Sequence, residues 1–161
     1  METQRERSVK RSPYLFVVAM CLLAFFSIAH GAPPQQVNPD KHVLIVNSYH
    51  KGYPWTDSTL AGIESVLKDG KNNIEMHIEF MDSKRVVDKN YFNRLFLYYR
   101  SKFDQVRFNL IIVSDNDAFN FVLSHRDALF PNIPVVFCGV NSLNVTGQRK
   151  LPFVTGVVEH Y

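Results

Sequence analysis

The sequence predicts an α/β fold: a doubly wound parallel sheet with strand order 2-1-3-4-5. Three observations lead there. The hydrophobic period switches repeatedly between strand-like and helix-like from residue 42 to residue 158. Some apolar runs show no alternation, as strands buried on both faces do, while one run alternates strictly. The runs are separated by turn-forming clusters, which is the pattern of βαβ units feeding a parallel sheet.

The elements follow in order. His42 to Ser48 (HVLIVNS) is short, apolar and β-branched, and reads as a buried strand. Thr56 to Lys68 carries Leu60, Ile63, Val66 and Leu67 at helical spacing, with Thr56 or Asp57 as the expected cap. Asp69 to Asn73 is a turn. Ile74 to Phe80 (IEMHIEF) alternates, so it is expected half-exposed at a sheet edge. Asn90 to Phe103 sets Tyr91, Phe92, Phe96, Tyr99 and Phe103 largely on one helical side. Leu110 to Val113 is a second buried strand. Asp117 to His125 is helical, with Asp127 to Phe130 as an extension or a turn, and Pro131-Asn132-Ile133-Pro134 ends it. Val135 to Phe137 and Thr155 to Val158 complete the strands. Right-handed crossovers between such strands give the 2-1-3-4-5 order.

The first residues carry a different message. Arg5, Arg7, Lys10 and Arg11 precede an uncharged apolar run, Tyr14 to Ala29, followed by Ala29-His30-Gly31. A basic segment, an apolar segment and small residues at a cut site read as a secretory signal peptide over residues 1–31. The alternative is an uncleaved N-terminal membrane anchor, although the run is short for a span of about 20 residues. Residues 32–41, opening Ala32-Pro33-Pro34-Gln35-Gln36, form a flexible lead-in. Residues 42–161 are the α/β domain. The expected location is the periplasm, free or anchored by residues 14–29. The chain holds 18 basic and 15 acidic side chains; residues 1–31 account for four and two of these, leaving 14 against 13. The basic excess is therefore partly the export signal, and no nucleic-acid footprint remains. Cys138 is the one cysteine beyond that signal, which excludes a disulfide framework.

Ligands of such sheets bind beyond the carboxyl ends of the strands, near the switch in strand order. The segments at those ends are Asn47 to Trp55, Met81 to Arg85, Ser114 to Asp117 and Cys138 to Ser142. All are polar, and the first is aromatic and punctuated by Gly52 and Pro54. That composition suits a small ligand better than a core. A dinucleotide fingerprint and a P-loop both fail, because only Gly52 follows the first strand. No G-x-S-x-G elbow occurs. Asp115 and Asp117 lack the further carboxylates and glycine of a calcium loop. His50, His77 and His125 have no i, i+4 partner, and no metal site and no cofactor are expected. A phosphoacceptor role for Asp115, as in receiver domains, would need an acidic pair after the first strand, where Asn47-Ser48-Tyr49 stands. Among Ser114, Asp115, Asn116 and Asp117, one side chain is expected to cap the following helix. The others would face the crevice.

Val43 to Trp55 (VLIVNSYHKGYPW), Leu110 to Asn120 (LIIVSDNDAFN), Ile133 to Asn141 (IPVVFCGVN) and Val154 to Glu159 (VTGVVE) together resemble the periplasmic substrate-binding protein family related to ABC transporters. They look most like its version in the extracytoplasmic sensor regions of bacterial histidine kinases and diguanylate cyclases. The resemblance covers most of residues 42–159. It implies one lobe of a two-lobe periplasmic-binding-protein-like fold, the N-terminal lobe, because the chain given stops at Tyr161. Mapped onto this sequence, it implies ligand-binding positions at Ser48, Tyr49, His50 and Trp55, at Ser114, Asp115 and Asn116, and at Gly139 and Asn141. Backbone N–H groups of Asn116 and Asp117 would then meet a polar ligand group, as helix N-termini do. Asp115 and Asp117 would disfavour a simple anion, so a zwitterion such as an amino acid fits better. Tyr49, Tyr53 and Trp55 could stack a planar or cationic group. Trp55 could equally be a hydrophobic staple ahead of its helix. Cys138 reads as an inert buried thiol. Asn144-Val145-Thr146 is formally a glycosylation sequon and is discounted.

The expected function is non-enzymatic: an exported solute-binding or sensory domain that takes a small polar solute, for transport or transmembrane signalling. Its expected partners are a small-molecule ligand and a membrane permease or a sensor-kinase or cyclase module, with no nucleic acid. A competing reading is an exported α/β enzyme with Asp115 or His50 as acid–base group. A third is an interaction domain whose helix Asn90 to Phe103 packs on a second copy in a homodimer.

Overall fold

A computed structural model of the chain describes residues 41–70, 73–86, 88–141 and 152–159. The signal or anchor segment, the lead-in to residue 40, part of the Asp69–Asn73 turn, Ser142 and the Asn144 sequon lie outside the described residues. Strands β1 (Lys41–Asn47), β2 (Ile74–Phe80), β3 (Leu110–Ser114), β4 (Val135–Val140) and β5 (Val154–Val158) alternate with helices α1 (Pro54–Lys68), α2 (Tyr91–Lys102) and α3 (Asn116–Leu129). The strands form one sheet in the order β2-β1-β3-β4-β5, with every pair parallel. The fold class and strand order are those the sequence predicts.

Alternate residues of a strand point to opposite faces, and β1 divides accordingly. Val43 and Ile45, with Ile112 of β3, pack against Leu60, Ile63 and Leu67 of α1. Leu44 and Val46, with Ile111 and Val113, enter the larger core shared with α2 and α3. Burial of each such side chain contributes about 1.5–3 kcal/mol before the entropy of ordering the chain is subtracted. Strand β2 is an edge, and its alternating sequence leaves every residue short of full burial. Helix α2 buries Leu95 and Tyr99 and leaves Phe92, Leu97 and Tyr98 at the surface. No helix among the described residues is long and apolar enough to cross a membrane.

Two local departures matter for the site. Helix α1 begins at Pro54, not at Thr56, and its N-cap, Tyr53, makes no side-chain cap bond. Proline suits the first helical position because its missing N–H has no intrahelical partner there. Thr56 is instead fully buried in the first turn, and Asp57 turns back to accept from the Gly52 N–H at 3.0 Å. At the other side of the sheet, the β4–β5 register shifts between Phe137 and Val140. Gly139 sits in this irregular stretch with φ +66°, and Gly156 lets β5 approach the Phe137 carbonyl and ring, where a Cβ would meet the oxygen at 2.1 Å.

Candidate ligand cleft at the strand ends

The polar ends of β1 and β3 are tied together before any cleft is formed. Ser48 and Ser114 are fully buried. The Ser48 hydroxyl donates to the Ser114 carbonyl at 2.8 Å and accepts from the Ala118 N–H at 2.8 Å. The Ser114 hydroxyl donates to Asn47 Oδ1 at 2.9 Å, and Asn47 Nδ2 donates to the Glu79 carbonyl at 3.1 Å. This chain of bonds crosses β2, β1, β3 and the start of α3. It satisfies polar groups that would otherwise be costly to bury. Both serines, expected from the resemblance to touch ligand, therefore have their hydroxyls engaged inside the sheet end.

Asp115 connects β3 to α3 in a conformation rare for a residue with a side chain, φ 70° and ψ 171°. That region is essentially glycine's, and an occupant with a Cβ carries strain of order 1–3 kcal/mol. The conformation sets its carboxylate between two partners. One oxygen accepts from the Asn116 N–H at 2.6 Å, capping α3, and the other accepts from the Tyr49 hydroxyl at 2.6 Å. The Asn116 N–H thus meets this carboxylate rather than an incoming group, and the Ala118 N–H meets Ser48. Of the four candidates after β3, Asp115 is the one that caps α3, and a second capping side chain, Ser48, comes from the end of β1. Burial pushes the Tyr49 phenol well above its ordinary value, helped by the hydrogen bond to Asp115 and the nearby Asp115 and Asp117 charges. Tyr49 therefore stays a neutral donor.

The cleft opens above this platform. It has a volume of about 230 Å³ and is lined by Tyr49, Tyr53, Trp55, Lys84, Asp115, Asn141 and Glu159. Every strand end contributes: the three aromatics follow β1, Lys84 follows β2, Asp115 follows β3, Asn141 follows β4 and Glu159 follows β5. Tyr49 lies edge-on to Tyr53 and to Trp55, with ring centroids 5.2 and 6.1 Å apart. The Lys84 ammonium sits 4.0 Å from the Tyr49 ring centre and 4.4 Å from that of Tyr53, and donates to the Tyr53 hydroxyl at 2.9 Å. A cation over two ring faces is held by their quadrupoles. The cleft thus offers an aromatic wall, one ammonium, two carboxylates and an amide.

Of the residues the resemblance implied, Tyr49, Trp55, Asp115 and Asn141 come together in this cleft. Asn116 stands behind it, its Oδ1 accepting from the Asn141 N–H at 3.2 Å. Gly139 is a spacer: a Cβ there would fall 2.4 Å from the Trp55 ring. Its bare backbone is what lets the indole lie over the end of β4, so Trp55 is neither a staple ahead of the helix nor a free ring. His50 is half-buried with Nδ1 3.4 Å from Asp82 and its ring against Tyr53, and it is not among the lining residues. Cys138 is half-buried beside the Val113 carbonyl, and burial raises its thiol above the ordinary value. Lys84 and Glu159 were not singled out from sequence. Lys84 lies in the Met81–Arg85 segment expected at the crevice, so its position was visible although its role was not. Glu159 is the first acidic residue beyond the last strand.

A second hollow, about 210 Å³, lies between α2 and α3 and is lined by Phe92, Phe121 and His125 with Asp117, Asn120 and Ser124. It draws on no strand end. No protein-family model, no curated protein and no solved structure matches this chain.

Proposed function

We propose that this chain is a non-enzymatic, exported binding lobe that takes a small zwitterionic or cation-bearing solute in the cleft above Asp115, for transport or transmembrane signalling. The observation that carries the reading is the convergence of all five strand ends on one cleft with charges of both signs and three aromatic rings. In a doubly wound sheet this is where ligands sit, beside the point at which the strand order reverses between β1 and β3. The Asp115 and Glu159 carboxylates supply the negative charge that a ligand ammonium would meet, and the Trp55 ring suits the same cation. Lys84 offers a counter-charge for a carboxylate. The resemblance to periplasmic substrate-binding proteins and sensor regions points the same way, and the basic-then-apolar residues 1–31 supply the exported address. A permease or a kinase or cyclase module as downstream partner belongs to the same proposal.

The enzymatic alternative draws less support. Both oxygens of Asp115 already accept hydrogen bonds, one of them from its own helix, and His50 stands against Asp82 rather than in the cleft. A general acid or base needs a free path to the proton it moves.

A thermal-shift screen of the full chain against amino acids, polyamines and simple carboxylates tests the reading. Zwitterions or amines should raise the melting temperature by mass action. The Asp115→Asn variant should lose most of that rise. A screen in which only carboxylates stabilise, or in which a solute is chemically converted, would sink it.

A further inference from the structure

At the other end of β1 and β2, toward their N-termini, three metal-ligating side chains meet. His42 and Glu75 are register partners across the β1–β2 pair, and His77 follows Glu75 by two residues, so it shares the face. His42 Nδ1 lies 3.2 Å from His77 Nε2. Glu75 places one carboxylate oxygen 3.3 Å from His77 Nε2 and the other 3.7 Å from His42 Nδ1. We propose that His42, Glu75 and His77 form a binding site for a divalent transition-metal ion of the Zn²⁺ type.

The spacing is what argues for it. Zinc holds nitrogen at about 2.0–2.1 Å, and two such donors at a tetrahedral angle are about 3.4 Å apart. The two nitrogens, 3.2 Å apart, lie close to that edge length, each Glu75 oxygen approaches a different one of them at 3.3 and 3.7 Å, and one ligand atom from each of the three residues lies within 4.8 Å of the others. An ion above the triangle would reach all three with small side-chain shifts, and its fourth vertex would face solvent. Two histidines and one carboxylate form a donor set that suits Zn²⁺ and its neighbours better than Mg²⁺ or Ca²⁺, which favour all-oxygen shells. Without an ion, one imidazole must donate its proton to the other; with an ion, both present lone pairs.

Two of the donors are held in advance. Asn109 brackets the His42 backbone, accepting from its N–H at 2.8 Å and donating to its carbonyl at 2.8 Å. The His77 ring is wedged edge-on against Phe103 and Phe108, with centroids 6.2 and 5.2 Å away. Glu75 is the exposed and adjustable member, with about half of its side chain open to solvent. The nearby ammonium, Lys102, is occupied with Glu79 at 2.5 Å and with the Tyr98 ring. Any bound ion would staple the edge strand β2 to β1, at the end of the sheet away from the ligand cleft. Sequence spacing gave no hint of this site, because its histidines meet across strands rather than at i, i+4.

The test is calorimetric titration of the full chain with Zn²⁺, with Mg²⁺ and Ca²⁺ as controls. The expected result is saturable 1:1 Zn²⁺ binding, a rise in melting temperature, and no response to the two controls. His42→Ala and Glu75→Gln should each weaken binding by more than the roughly 10–100-fold that loss of an outer-shell partner costs. Because His77→Ala opens a packed aromatic contact and could fail to fold, the two more exposed positions decide. Co²⁺ substituted for Zn²⁺ should show the strong visible absorption of a four-coordinate ion. Absence of saturable Zn²⁺ binding, or 1:1 binding unchanged by both His42→Ala and Glu75→Gln, overturns the proposal.

Discussion

Asp115 concentrates the chemistry of the cleft in one residue. It caps α3, anchors Tyr49 and lines the cleft, and it does so from a backbone conformation that disfavours any side chain. Asp115→Ala and Asp115→Gly remove the same carboxylate, but only alanine keeps the Cβ in the strained region. Urea denaturation should therefore find the glycine variant more stable than the alanine variant by about 1–3 kcal/mol. Equal stabilities would mean that the strain is relieved elsewhere. The sequence made this residue visible as polar surplus after an apolar strand. It did not reveal the partner, since Tyr49 lies 66 positions away. Ser48 is the sharper case: its hydroxyl caps a helix 70 positions on, a bond that no local cap rule can anticipate.

At the scale of elements, strands were the most legible because their apolar character is set by burial on both faces. The alternation of Ile74 to Phe80 marked β2 as an edge for the same physical reason. Helix α1 starts two residues before Thr56, where capping chemistry alone would set it. The chain uses an uncapped Tyr53 and a proline instead. The fit of α1 to β4 rests on Gly139 beneath Trp55. Gly139→Ala brings together a disfavoured positive φ, worth roughly 1–2 kcal/mol, and a collision with the indole. Denaturation should show a loss of at least about 2 kcal/mol. Because Trp55 is the chain's one tryptophan, its emission should shift in the native state as well. An unchanged spectrum would mean that the ring does not lie over β4. In α2, Tyr99 is nearly fully buried and its hydroxyl finds no hydrogen-bond partner among the described residues. Tyr99→Phe should raise stability at neutral pH by about 1 kcal/mol, read from the same denaturation curves.

For the molecule as a whole, the buried phenol of Tyr99 also sets an alkaline limit. Burial, with Glu79 adding to it, raises its pKa above the ordinary value of 10.0. The folded chain then holds a proton that the unfolded chain releases, so stability is full below pH 10 and falls as pH rises above it. The slope from this one group is about 1.4 kcal/mol per pH unit, and Tyr99→Phe should remove it. A denaturation series across that range with identical slopes in both proteins would contradict the assignment. The sheet order was legible from the run of elements because crossover handedness leaves few alternatives. Which side chains share the cleft was legible only in part. Tyr49, Trp55, Asp115, Asn141 and, within the Met81–Arg85 segment, Lys84 sit where strand ends predict, while the role of Lys84 and the inclusion of Glu159 depend on loop paths that composition does not encode. The His42–His77 pair depends on register, which a single sequence specifies only through packing.

The cleft above Asp115 is proposed to bind a small solute bearing a cation. Trp55 lines that cleft and is the only tryptophan, so its fluorescence reports occupancy without a label. The measurement is a titration of the full chain and of its Asp115→Asn variant with amino acids, polyamines and cation-free carboxylates. A saturable change in emission is expected with at least one zwitterion or amine, weakened about tenfold or more by Asp115→Asn, as loss of a charge-assisted bond entails. A flat response to every cation-bearing solute, or a saturable response that Asp115→Asn leaves unchanged, would contradict it.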